Sequence, residues 1–341
     1  MHTRKNILPF SMSDEFGEST FPQDVLRLCD EPASVWTDRQ VHAALSRDPG
    51  GFIRFMEAGV RAVAEGAAHI DMPPKQIFAD DGGGDFRIMP CVLRWGERHW
   101  KTVKVVGTNS VQRIVPDKIT VGKALALHPR ENFITDIIDA CILSSARTGA
   151  CAAIGAAMLD AQREQVAIIG SGRVGFYAAL YLCAQGGVRR LTFFDLAGQR
   201  AANAARALAA FHPGIEFGTG TGKPDADLVV IATTSTQPLL HPDDTRGTTV
   251  ISLGADTDEQ RELHPSWRQA ADLYVESNDS LRYGDLRHWG VQPSEVVELS
   301  QLYVAGRKVT RGRSVFISTG SALFDNLAIG YLLEQAGQAS R

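Results

Sequence analysis

Two rhythms of apolar and polar positions run along the chain. Phe52, Phe55, Met56, Val60 and Val63 recur at helical spacing, which predicts an amphipathic helix that Gly66 can end. Ahead of it, Thr37-Asp38-Arg39-Gln40 reads as a capping box, because the Thr hydroxyl and the Gln amide can each satisfy a backbone group left open at a helix start. A short helix should follow and stop near Asp48-Pro49-Gly50-Gly51. Between residues 70 and 145 the period changes. The runs Phe86 to Leu93, Trp100 to Val106 and Phe133 to Ile138 lean to β, punctuated by Pro73-Pro74, Gly82-Gly83-Gly84 and Pro116. With no long helix between them, they predict a mainly antiparallel sheet.

From Ala140 to Gln162 the chain is Ala-rich and helix-forming, a helix that would link two domains. Strands and helices alternate beyond it. Val166 to Ile169 is a short apolar strand, Phe176 to Ala184 a helix, Leu191 to Phe194 a strand and Arg200 to Phe211 a helix. Asp227 to Ala232 and Thr249 to Leu253 continue the series. This rhythm predicts an α/β fold, a Rossmann-type doubly wound parallel sheet beside the antiparallel α+β region. Ala322 to Gln335 is a final amphipathic helix. No internal repeat or low-complexity tract interrupts the pattern.

Composition adds limits. The chain has 341 residues, 44% hydrophobic and 22% charged, enough for two compact units at about 150 residues per domain. Lys and Arg total 35 against 39 Asp and Glu, a net charge of -4 that argues against a nucleic-acid partner. Met1 to Phe21 lacks the apolar core of a secretory signal, and Met12 to Ser19 reads as a polar, loosely held arm. No window approaches the ~18 consecutive apolar residues of a membrane span. Cys29, Cys91, Cys141, Cys151 and Cys183 form no C-x-x-C pair and read as free thiols in a reducing cytoplasm. His69, His99, His128, His241 and His264 show no metal-ligand spacing, so no metal is expected.

The 32 glycines include Gly170-Ser171-Gly172-Arg173-Val174-Gly175, a G-x-G-x-x-G run. Alone the pattern is weak, but it follows the strand Val166 to Ile169 and opens a helix. There Gly170 permits a tight turn, Gly172 lets backbone approach a diphosphate, and Gly175 permits close helix–strand packing. The diphosphate would sit at the positive helix end. Asp195 ends the next strand, where a carboxylate accepts from ribose hydroxyls and repels a 2′-phosphate, favouring NAD over NADP. Arg200 nearby could weaken that preference. Thr233, Thr234 and Ser235 follow the strand Asp227 to Ala232, where loops border the nicotinamide, although polar loop filler explains them as well.

A nicotinamide enzyme also needs groups that hold an electrophilic carbon and move protons. Lys104 in Val103-Lys104-Val105-Val106, Arg147 in Ser144-Ser145-Ala146-Arg147-Thr148-Gly149, and Asp256 after Ile251 to Ala255 are candidates. Singly, each could equally be a surface charge. Together with Met72-Pro73-Pro74-Lys75, Gly84-Asp85-Phe86-Arg87-Ile88-Met89-Pro90, Gly254-Ala255-Asp256 with Arg261-Glu262-Leu263, and Ser318-Thr319-Gly320-Ser321-Ala322-Leu323-Phe324-Asp325, they resemble the ornithine cyclodeaminase/mu-crystallin family. The likeness runs from about Val41 to Gln335 and is strongest to its archaeal alanine dehydrogenase branch. The chain departs from the family's usual pattern in the stretch VGTNSVQRIVPDKIT after Lys104, at Arg173-Val174-Gly175, and in a longer N-terminal arm.

The resemblance implies roles. Lys75 and Arg87 would flank the substrate carboxylate or imine, Lys104 and Arg147 would hold the carboxylate, Asp256 would handle the amine or its proton, and Ser318 would lie near the nicotinamide. It implies a homodimer, in which residues 1–145, rejoined by helix 320–341, bind substrate and pair across a twofold axis, while 146–319 bind NAD. The expected activity is an NAD-dependent amino-acid dehydrogenase or imine reductase acting on a small 2-amino or 2-imino acid. The alternatives are an ornithine or lysine cyclodeaminase with recycled NAD, and a non-catalytic nicotinamide-dependent ligand-binding protein. Lys75 stands where ornithine cyclodeaminase has arginine, which points away from that lyase.

Overall fold

The computed structural model describes residues 31–80, 84–109, 120–305 and 311–339. The polar arm Met12 to Ser19, Cys29, the Gly82-Gly83 pair and Pro116 lie outside the described residues. The capping box forms as the sequence predicts: the Gln40 N–H donates to Thr37 Oγ1 at 3.4 Å and the Thr37 N–H to Gln40 Oε1 at 2.9 Å. It opens α1 (Asp38–Arg47), and α2 (Pro49–Ala64) follows with its start capped by Asp48. The α2 stripe buries Phe52, Ile53, Met56 and Val60.

The first sheet contains β1 (Ser34–Trp36), β2 (Ala68–Asp71), β3 (Gln76–Asp80), β4 (Gly84–Trp95), β5 (Arg98–Asn109), β6 (Thr120–Leu127) and β7 (Ile134–Asp139). Its order is β1-β7-β6-β5-β4-β2, with β3 also paired to β4. Every ladder is antiparallel except β1 with β7. The runs Phe86 to Leu93 and Trp100 to Val106 are the centres of longer strands, because β4 and β5 pair over twelve residues each and support one another beyond the apolar stretches. The apolar pattern does not announce β6, whose Gly122, Ala124 and Ala126 are weak strand formers recruited by pairing with β5 and β7. Along β4 the residues at 87, 89, 91 and 93 are buried on one face, and register places Lys104 opposite Met89 on that face.

Helix α3 (Ala140–Met158) follows, buried on nearly every side, as expected where no polar face exists. It ends at Met158, short of the predicted Gln162. It is the one described helix long and apolar enough to cross a membrane, yet 78% of its most apolar window is buried inside the fold. The second sheet is built from β8 (Gln165–Ile169), α4 (Arg173–Gln185), β9 (Arg190–Phe194), α5 (Gly198–Phe211), β10 (Glu216–Thr219), β11 (Leu228–Ile231) and β12 (Thr249–Ser252). Then come α6 (Trp267–Ala270), β13 (Asp272–Val275), α7 (Gly284–Trp289), β14 (Val296–Glu298), α8 (Leu299–Ala305) and β15 (Ser314–Ile317). All ladders are parallel, in the order β10-β9-β8-β11-β12-β15-β13-β14. Helix α4 starts at Arg173, earlier than the predicted Phe176, because Gly172 itself caps it.

The strand order reverses between β8 and β11, and the crevice beyond their carboxyl ends is where α/β sheets receive ligands. The last helix, α9 (Ala322–Ala339), leaves the second sheet and packs on α2, α3, β4 and β5. One apolar cluster therefore runs from Leu93 and Ala124 through α3 to Ile168 and Phe193. Cys91, Cys151 and Cys183 are buried free thiols, and Cys141 is buried as well.

Candidate active site

The glycine loop opens directly off β8. Gly170 has φ +92°, and a Cβ on Gly175 would lie 1.9 Å from the Gly170 carbonyl oxygen, so helix and loop approach too closely for any side chain there. Among the described residues nothing lies within 4 Å of where a Gly172 Cβ would be, which leaves the approach to the loop open. Among the described residues no side chain caps α4, so its first-turn N–H groups face that open side unpaired by a cap. Arg173 is exposed and Val174 half-buried in the first helical turn.

Asp195 is held in place. Its Oδ2 accepts from the Ser171 N–H at 2.8 Å and the Ser171 hydroxyl at 2.7 Å, while Oδ1 accepts from the Ala197 N–H at 2.8 Å. Burial works to raise its pKa, but these bonds and nearby Arg200 more than offset that and hold it below the ordinary carboxylate range. Ser171 thus spends its side chain on Asp195. Across the crevice the Thr233 N–H and hydroxyl donate to Glu262 Oε1 at 2.7 and 2.9 Å, Thr234 is exposed, and the Ser235 hydroxyl donates to the Gln237 carbonyl at 2.7 Å.

Glu262 had no role in the sequence reading. Fully buried, it also accepts from the Ser252 hydroxyl at 2.7 Å and the Gly254 N–H at 2.9 Å, which ties the Thr233 loop to the loop that carries Asp256. Burial pushes its pKa up against those donors. Behind it Asp285 accepts from the Glu262 and Leu263 N–H groups at 3.1 and 3.2 Å, and burial pushes its carboxyl up to about 7.

The predicted cations come together between the sheets. Lys75, in the turn before β3, is 8% exposed; its Nζ donates to the Thr319 carbonyl at 2.9 Å and sits 3.8 Å from the centre of the Tyr283 ring. Burial is the main cause that lowers its pKa to about 8, with Asp256 pulling the other way. Arg87 on β4 donates through Nε and Nη2 to Asp85 at 3.0 and 2.9 Å, and through Nη1 to Asp256 at 2.6 Å. Burial works to raise the Asp256 pKa, but Arg87 and Lys75 outweigh it and hold the carboxyl below its ordinary value.

Deeper in, Lys104 pairs with Asp325 of α9 at 2.7 Å, and Arg147 Nε of α3 donates to the same carboxylate at 2.9 Å. Burial, reinforced by Arg147, lowers the Lys104 pKa to about 8. Among the described residues the terminal nitrogens of Arg147 make no hydrogen bond to protein, and they face Gly320. That glycine has φ +82°, and a Cβ there would lie 2.7 Å from Arg147 Nη1. The Ser318 hydroxyl is buried and donates to Glu276, which also accepts from the Gly320 N–H at 3.1 Å. Sequence reasoning named Asp85 and Asp325 only as parts of signatures and missed Glu276 and Tyr283. Nothing in their spacing marks them, since each becomes meaningful only through a partner brought by the fold. Among the described residues no group of His, Cys, Asp and Glu is arranged to hold a metal.

Comparison with known proteins agrees with this layout. A profile of the ornithine cyclodeaminase/mu-crystallin family matches residues 36–340. The Delta(1)-pyrroline-2-carboxylate reductase 1 of Burkholderia multivorans is 27% identical over 277 residues, covering 78% of this chain and 85% of that protein. Among solved structures, the Thermococcus litoralis Delta(1)-pyrroline-2-carboxylate reductase in complex with NADH and L-proline superposes with a TM-score of 0.79 at 19% identity, covering 90% of this chain and 98% of that one. An archaeal alanine dehydrogenase dimer with bound NAD gives 0.77 at 21% identity, covering 91% and 97%.

Proposed function

Because the chain belongs to the ornithine cyclodeaminase/mu-crystallin family, we propose that it is an NAD-dependent imine reductase that acts on a small 2-imino acid, with the reverse dehydrogenation of the amino acid as its partner reaction. The observation that carries this reading is the meeting of buried Lys75 and Arg147 with the half-buried, Arg87-paired Asp256, on the same molecule as the glycine loop and its oriented Asp195.

The residues fit a nicotinamide dinucleotide. Gly170, Ser171, Gly172, Arg173, Val174 and Gly175 would surround its diphosphate, Asp195 its ribose hydroxyls, and Thr233, Thr234, Ser235 and Ser318 would border its nicotinamide end. Asp195, ionised and fixed by Ser171, favours NAD over NADP. When bound, the reduced cofactor supplies hydride to the imine carbon.

The protein's own groups do the rest. Arg147 offers two free terminal nitrogens to one carboxylate. Lys75, with a pKa of about 8, is mostly protonated at neutral pH and readily gives its proton, so it serves as the acid that delivers a proton to the substrate nitrogen. Asp256 stays ionised, steadies the positive charge of the iminium, and helps Lys75 regain its proton. Lys104, paired with Asp325, holds Arg147's surroundings in register; Arg87 orients Asp256.

We further propose that residues 1–145 with the segment 320–341, which contains α9, form the substrate and dimerisation half, and residues 146–319 the cofactor half. A homodimer is supported by the outer face of the first sheet, where Phe78, Phe86 and Val105 are exposed and the Phe78 and Phe86 rings stack at 4.6 Å. Buried free thiols suit a reducing cytoplasm.

The test is a substrate panel. Purified protein with NADH and cyclic or open-chain 2-imino acids should consume NADH and yield the amino acid, and NAD with that amino acid should return it. Ammonia release from ornithine or lysine without net change in NADH would instead identify the lyase. NADH binding with neither reaction would support the non-catalytic alternative.

A further inference from the structure

Arg87, unlike Arg147, is engaged by carboxylates through all three of its nitrogens. Nε and Nη2 form a two-point fork with Asp85 at 3.0 and 2.9 Å, and Nη1 is taken by Asp256 at 2.6 Å. Asp85 is itself pinned, because the Thr108 hydroxyl donates to it at 2.7 Å from the residue directly opposite on β5. Asp85 and Arg87 are two apart on β4 and so share a face. Lys104 is likewise committed, to Asp325. Among the described residues of this cluster, what remains for a substrate anion is Lys75 and the terminal nitrogens of Arg147, a seat for one carboxylate.

We propose that Asp85 is a specificity-determining residue: by occupying the guanidinium edge of Arg87 it denies the site a second carboxylate seat, so that the substrates are 2-imino monocarboxylates and 2-imino dicarboxylates are excluded. This rests on the imine reductase reading and narrows its substrate class. The physical reason is twofold. A second carboxylate would have to displace the two-point pair, and it would meet the Asp85 charge at close range in a partly dehydrated cleft, where like charges repel strongly. Discrimination of this kind works through an unfavourable contact with the wrong ligand as much as through a favourable one with the right ligand.

The experiment compares wild type with Asp85→Ser, which removes the charge and the fork but keeps a small polar residue on β4. With NADH, kcat/KM is measured for Delta(1)-pyrroline-2-carboxylate and for the imine formed from oxaloacetate and ammonium. Wild type should strongly prefer the first, and Asp85→Ser should move the dicarboxylate-to-monocarboxylate ratio by about ten-fold or more toward the second. In parallel, calorimetric titration of the NADH complex should show succinate binding about ten-fold more tightly to Asp85→Ser than to wild type, with acetate nearly unchanged. Thr108→Val, which keeps the charge but loosens its pin, should shift both ratios the same way by less. An unchanged succinate affinity and an unchanged ratio in Asp85→Ser would overturn the proposal, as would equal use of both imines by wild type. If wild type reduced neither imine, the function reading would fall, while the succinate titration would still decide what Asp85 does to the anion seat.

Discussion

The glycine loop and the cation cluster are built on opposite principles. The loop is local: Gly170 to Gly175 are consecutive, the ligand-facing groups are backbone N–H donors, and Asp195 arrives one strand later. The cluster is assembled from afar. Lys75, Arg87, Lys104, Arg147 and Asp256 come from separate elements, and Lys104 and Asp325 are 221 residues apart in sequence. A backbone site tolerates change at most side chains but not at its glycines. A cluster of charges behaves in reverse, since Arg87, Lys104 and Arg147 are each held by a counter-charge and the loss of one strands another. The two regions should therefore fail differently.

Asp256→Asn carries the largest expected effect, a fall of about 10²–10⁴-fold in kcat/KM with NADH affinity retained, measured by steady-state kinetics beside a fluorescence titration. Loss of NADH binding in this variant would break the separation between the regions. Asp325→Ala leaves Lys104 and Arg147 buried without their shared anion, and should cost about 3–5 kcal/mol in stability, read from denaturant unfolding. Gly175→Ala should do the opposite of Asp256→Asn. Its Cβ would meet the Gly170 carbonyl at 1.9 Å, and relieving that contact should weaken NADH binding by about ten- to a hundred-fold through ~1–3 kcal/mol of strain.

Smaller effects sharpen the comparison. With Lys75 as the acid, kcat/KM for imine reduction should be level below about pH 8 and decline above it, as the ammonium loses its proton. Because Asp256 raises the Lys75 pKa, the residual activity of Asp256→Asn should show that decline at lower pH; a pH–rate profile checks both limbs. Asp195→Ser should leave NADH binding nearly intact and narrow the preference over NADPH, read from the ratio of the two Kd values.

The same contrast explains what could be read from residues alone. The α2 stripe, the capping box at Thr37, the parallel second sheet and the glycine loop were legible because each is written in a short window by period or turn chemistry. The four-residue strands β13 and β15 were not, since a short strand buried on both faces has no alternation to reveal it. Nor was the parallel pairing of β1 with β7, which joins segments about a hundred residues apart. The cations and Asp256 were legible as a family signature, but the parts played by the other two anions were not. Asp85 reads as an ordinary strand-edge charge until Arg87 and Thr108 are seen to hold it, and Asp325 as a helix-start acid until Lys104 and Arg147 converge on it.

The most direct test of the account is Lys75→Ala, with NADH affinity and imine reduction measured on one preparation. The account predicts an unchanged NADH Kd together with a loss of turnover of at least about a hundred-fold. Full activity in that variant would contradict it.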